Sequence, residues 1–133
     1  MILPSNSLVA VVDGEVLRLY RNTGTATEVA LSAVDIPKLE ERVVGSAGRI
    51  STEANPDNDT QAEDGHAMSV ALALNDWALK NRFDKLVVIA APKTMGELRK
   101  HWHKEVEERL LGEITKTLTG ATTEDIIRTI EAA

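Results

Sequence analysis

The chain has 133 residues, 43% of them apolar, and a formal charge of −6 at neutral pH, which suits one domain around one aliphatic core. Cysteine is absent, excluding a disulfide framework, a thiol nucleophile and a thiolate metal site, and no apolar run reaches the length of a membrane span. Tyr20, Trp77, Phe83 and Trp102 are the only aromatic residues, too few for the stacking platforms that hold single-stranded nucleic acid.

The elements begin with Leu8–Val12 and Val16–Arg21, two short runs joined by Asp13-Gly14-Glu15, an Asp-Gly connection that predicts a hairpin. A third strand is expected near Thr27–Leu31, after a turn at Asn22–Thr25, completing an antiparallel meander. Gly45 to Gly65 holds small, polar and acidic residues with almost no large apolar side chain; it cannot offset its own ordering entropy, which predicts a mobile loop over 45–59. Within it, Asp57–Gly65 has calcium-loop character, but Ala62 stands where the loop needs glycine and Met68 where it needs glutamate.

From about Thr60 to Asn81 the period becomes helical. Val70, Ala71, Leu74, Trp77 and Ala78 share one face, and Met68, Leu72 and Leu79 widen it, which predicts a helix buried within the monomer. Leu86–Ala90 is an unbroken apolar run, as expected of a strand covered on both faces. Beyond Ala91-Pro92-Lys93, Thr94 and Glu97 have the spacing of a capping box. Met95, Leu98, Trp102, Val106 and Leu110 then form a stripe that predicts a helix on the sheet face opposite the first, with a break near His101–Lys104. On this reading Trp77 and Trp102 lie on opposite faces. Leu110–Leu118 reads as a last strand, and Thr122 or Thr123 caps a final helix through Ile127 and Ile130.

Three strands followed by helix–strand alternation, joined by right-handed crossovers, give an α/β fold with a mixed five-stranded sheet of order 3-2-1-4-5 and helices on both faces. This is the ribonuclease-H-like arrangement. The carboxyl ends of its parallel strands, at Asp13, Pro92 and Lys116, share one rim, where open α/β sheets bind ligands.

The charge is unevenly placed: residues 1–66 carry 5 basic and 11 acidic residues, whereas 67–133 carry 10 of each. An acidic chain repels nucleic acid at long range, so phosphate contact must be local. Lys93, Thr94, Arg99 and Lys100 supply that locality and are the candidate anion- or partner-binding residues. No catalytic set accompanies them. Asp13 is accounted for by the hairpin, and the strand ending in Ala90 offers no second acid for two-metal chemistry. His101 and His103, two residues apart on a helix, point to different sides. There is no Gly-x-Ser-x-Gly elbow, dinucleotide fingerprint or Walker-type loop, so neither a metal nor a cofactor is expected.

Leu3–Asn22 (LPSNSLVAVVDGEVLRLYRN), Arg82–Trp102 (RFDKLVVIAAPKTMGELRKHW) and Glu113–Gly120 (EITKTLTG) together frame nearly the whole chain. In these segments the sequence resembles the bacterial host-attachment protein family, proteins required for attachment to host cells, with Thr117 where that family usually has an aspartate. The family in turn resembles the middle domain of archaeal and eukaryotic class-1 peptide-release factors, which implies a ribosome-associated ancestry. Those factors act through a Gly-Gly-Gln loop before the long helix; this sequence has Gly48-Arg49 and an isolated Gln61 in that region and no Gly-Gly-Gln. The resemblance therefore implies a single host-attachment-like domain, 1–133, acting as a non-enzymatic binding or adaptor protein with a protein partner. The alternatives are a ribosome- or RNA-associated factor and a divergent hydrolase. Without an export signal, a cytoplasmic location is expected.

Overall fold

A computed structural model describes residues 1–39 and 58–133. The expected loop at 45–59 lies outside the described residues except for Asn58 and Asp59, which open a helix. The elements are β1 (Leu8–Val12), β2 (Leu17–Asn22), β3 (Leu31–Val34), α1 (Asn58–Leu79), β4 (Leu86–Ala90), α2 (Pro92–Arg99), α3 (Lys104–Arg109), β5 (Leu110–Ile114) and α4 (Thr123–Ala132). They form one mixed sheet of order β3-β2-β1-β4-β5. β1 pairs antiparallel with β2 and parallel with β4, and β5 is parallel to β4. The expected topology is therefore the one observed.

β1 and β4 are buried along their whole length because each has a strand on either side and helices above and below. Leu8, Ala10 and Val12, with Leu86, Val88 and Ala90, pack against Val70, Leu74 and Trp77 of α1. Val9, Val11, Val87 and Ile89 pack on the other face against Ile126 and Ile130 of α4.

Met95 and Leu98 of α2 and Val106 of α3 belong to the α1 side, so the second helical stripe does not cover the opposite face. Trp77 and Trp102 share one core. The reason is topological: β1, β4 and β5 succeed one another in one direction across the sheet, and successive crossovers of the same hand lay their helices on the same side. The opposite face is left to α4.

Trp102 is also not helical; it sits half-buried in the break between α2 and α3. Asn75 of α1 holds that break, its Nδ2 donating to the His101 carbonyl at 2.9 Å and its Oδ1 accepting from the His103 amide at 2.8 Å. His103 Nδ1 then accepts from the Glu105 amide and caps α3.

β3 starts at Leu31, where the expected strand ends. Fully buried Asn22 explains the displacement: its Oδ1 accepts from Gly24 N at 2.9 Å and Ala30 N at 3.1 Å, and its Nδ2 donates to Leu3 O at 2.9 Å. Residues 23–30 therefore wrap around one side chain instead of pairing in a ladder. β2 begins one residue later than read, at Leu17, and β5 stops at Ile114 rather than Leu118. α1 ends in a left-handed residue, Asn81 (φ 56°), whose amide donates to Ala78 O while Arg82 N donates to Trp77 O. Leu79, in the last turn of α1, is 57% exposed rather than buried, because it lies about 100° around the helix from inward-facing Ala78.

Candidate functional site

β1, β4 and β5 are parallel, so Val12, Ala90 and Ile114 end at the same rim. Asp13 follows β1 and ties the hairpin together: Oδ1 accepts from Glu15 N at 2.8 Å and Val16 N at 2.6 Å. This is the turn role expected of aspartate before glycine. Oδ2 accepts the Thr119 hydroxyl at 2.7 Å, and His66 Nδ1 on α1 lies 3.1 Å from the Asp13 carbonyl. A carbonyl only accepts, so Nδ1 carries the proton of this bond. Burial raises the Asp13 carboxyl, but the bonds from Thr119, Glu15 and Val16 together outweigh it and hold the carboxyl below its ordinary 3.8.

α2 starts directly after β4. Its N-cap is Ala91, with Pro92 in the first helical turn, and no side chain caps the helix start. Thr94 is thus inside the helix and forms no capping box. A proline so near the strand end accounts for the early start, since its fixed φ and missing N–H fit the first turn. Glu97 turns instead to the end of the helix: Lys100 Nζ lies 2.9 Å from its Oε2 and His101 Nε2 lies 3.6 Å from its Oε1. Lys100 holds the buried Glu97 carboxyl below its ordinary 4.5, against the upward push of burial. Arg99 reaches to β5, where Nε and Nη2 donate to Glu113 Oε1 at 2.8 and 2.7 Å.

The four residues singled out from sequence thus separate into two pairs. Lys93, exposed, and Thr94, half-buried, belong to the first turn of α2. Arg99 and Lys100 close it, each engaged by a carboxylate. Lys93 and Arg99 stand about 9 Å apart along the axis at 1.5 Å per residue. A ligand touching both must be larger than one phosphate.

His66 and Thr119 were missed. They reach Asp13 from 53 and 106 residues away in the chain, and no local spacing announces such a contact. His101 and His103 are peripheral, one beside Glu97 and the other a cap. Among the described residues, no group of three His, Cys, Asp or Glu side chains is placed to hold a metal ion. Among them, too, no helix is long and apolar enough to cross a membrane.

A family model described as bacterial archaeo-eukaryotic release factor family 12 matches residues 6–130. No curated protein matches the sequence. The family match supports the release-factor part of the resemblance drawn from Leu3–Asn22 and Arg82–Trp102, and carries nothing about host attachment.

Proposed function

The chain belongs to bacterial archaeo-eukaryotic release factor family 12, and from that premise we propose that it is a non-enzymatic, cytoplasmic binding domain that docks on the ribosome. The contact surface is the rim formed by Lys93, Thr94, Arg99 and Lys100. The observation that carries the reading is the engagement of three carboxylates, those of Asp13, Glu97 and Glu113, in structural bonds beside a basic helix end. Asp13 has both oxygens occupied, and Glu97 and Glu113 are each engaged by a cation. None of these three is left as a general base, whereas Lys93 and the outer surfaces of Arg99 and Lys100 face solvent. The sequence also lacks the Gly-Gly-Gln through which release factors act. Support of host attachment, implied by the sequence resemblance, would then be indirect, through a ribosomal or protein partner.

Co-sedimentation with ribosomes across a salt series tests this. The wild-type protein is expected to pellet with ribosomes at low salt and to dissociate as salt rises. Lys93→Glu combined with Arg99→Gln should weaken binding and flatten the salt slope beyond what its modest loss of melting temperature, from the broken Arg99–Glu113 pair, accounts for. Unaltered co-sedimentation of that folded variant removes the rim from the reading. Peptidyl-tRNA hydrolysis abolished by one substitution at Asp13 would replace it with the hydrolase alternative.

A further inference from the structure

At the other end of β1 and β4, about 16 Å from the carboxyl rim at 3.3 Å per residue, lies a second concave surface. It is a cleft of about 270 Å³ between the segment leading into β1, the end of β2 and the turn from α1 to β4. Arg21, Arg82 and Lys85 line it, against one carboxylate, Asp84. Among the described residues none of these three cations has a carboxylate within ion-pair distance. That contrasts with Arg99 and Lys100 at the carboxyl rim, both neutralised internally. In a chain of charge −6, cations left without a counter-charge in a cleft form a local field that an anion can satisfy.

The cleft is also set in shape before any ligand arrives. Arg21 stands opposite Leu8 in the ladder and donates from Nη1 to Asn6 O and from Nη2 to Arg82 O, both at 3.0 Å, bridging the two walls. Two of its five N–H donors are thereby used and three are left for a ligand. The paired turn bonds that end α1 at Asn81 place the Arg82 guanidinium over the Trp77 ring, 5.5 Å from its centroid. Arg109 Nη2 donates to Asn81 Oδ1 at 2.8 Å and secures that turn. Leu8 N donates to Lys85 O at 2.9 Å and fixes the far wall. Ser7, also in the lining, is 1% exposed, and its buried hydroxyl has no hydrogen-bond partner among the described residues. Fixed donors of one sign lose little entropy on binding.

We infer that this cleft is a binding site for a phosphate group, carried by a small phosphorylated molecule or by an RNA strand. The Arg21 guanidinium fork matches phosphate oxygens in geometry, and Arg82 and Lys85 add positive charge beside it. The site is separate from the rim that carries the ribosome reading, so either can fail without the other.

Titration of the 15N-labelled protein with inorganic pyrophosphate, and separately with a short single-stranded RNA, tests the inference through backbone amide shifts. Saturable shifts confined to Asn6, Ser7, Asp84 and Lys85 are expected. In Arg82→Gln combined with Lys85→Gln the apparent Kd should rise at least about tenfold. Should that variant fold poorly, Lys85→Gln alone, at an exposed position, is expected to weaken binding severalfold. Shifts with both titrants assign the phosphate to RNA, and shifts with pyrophosphate alone assign it to a small ligand. The absence of saturable cleft shifts with either titrant, or shifts unchanged in the variants, overturns the inference.

Discussion

Thr119 donates its hydroxyl to Asp13 Oδ2 at 2.7 Å, joining the loop after β5 to the hairpin after β1 across 106 positions of sequence. Thr119→Val removes the donor and leaves Asp13 with its two turn amides. A loss of about 1 kcal/mol in urea denaturation at neutral pH is expected, at the low end for a bond to a carboxylate because Asp13 is only half-buried. Asp13 titrates below 3.8 in the folded protein, so its contribution is complete above 3.8 and lost as pH falls through the lowered value. The variant should therefore show a shallower loss of stability on acidification, read from melts above and below that pH.

Glu97 makes a second acid-sensitive contribution with the same sign. Its carboxyl is held below 4.5 chiefly by Lys100, so the stabilisation is present above 4.5 and disappears as pH falls through the folded-state value. Glu97→Gln should lower the melting temperature at neutral pH and leave it nearly unchanged in strong acid, where the wild-type side chain is itself protonated. Equal differences at both pH values would contradict the pairing.

Asn22→Ala should be among the most damaging single substitutions. It strands the buried carbonyl of Leu3 and the part-buried amides of Gly24 and Ala30, and at about 1 kcal/mol or more for the buried group and less for the two that water can reach, the loss is about 2 kcal/mol. Faster amide exchange along β3 is the accompanying local signature.

The two tryptophans should respond differently although they share a core. Trp77→Ala is expected to cost about 3–5 kcal/mol, since Trp77 is only 8% exposed. Trp102→Ala should cost less, on the order of 2 kcal/mol, because that side chain is only partly buried. Trp102→Phe is expected to stay within about 1 kcal/mol of wild type: the lost volume is offset by removal of an indole N–H that has no partner. Calorimetric or urea-derived stabilities of the three variants check the order.

What the sequence by itself determined was whatever depends on neighbours in the chain. The alternation and apolar runs at Leu8–Val12 and Leu86–Ala90, the Asp-Gly hairpin, the inward face Val70, Ala71, Leu74, Trp77 and Ala78, and the Thr122 cap all follow from local period and turn chemistry, and all are present. Sheet order was legible as well, because crossover handedness leaves few arrangements for that element order. Tertiary structure decided what depends on distant partners. A stripe such as Met95, Leu98 and Val106 states that a helix has a buried face; only the direction of strand succession states which side of the sheet receives it. The start of β3 was set by Asn22, whose side chain ties the segment after β2 to Leu3, and the break near His101–Lys104, legible in the sequence, is held by Asn75 of another helix. The site divides in the same way. Lys93, Thr94, Arg99 and Lys100 could be read off as a basic segment after a strand, but their carboxylate partners, and the gathering of Arg21, Arg82 and Lys85 around a cleft at the opposite rim, exist only once the sheet brings remote segments together. Charge is written in the sequence one residue at a time, whereas its neutralisation depends on distances of a few ångströms that folding alone sets.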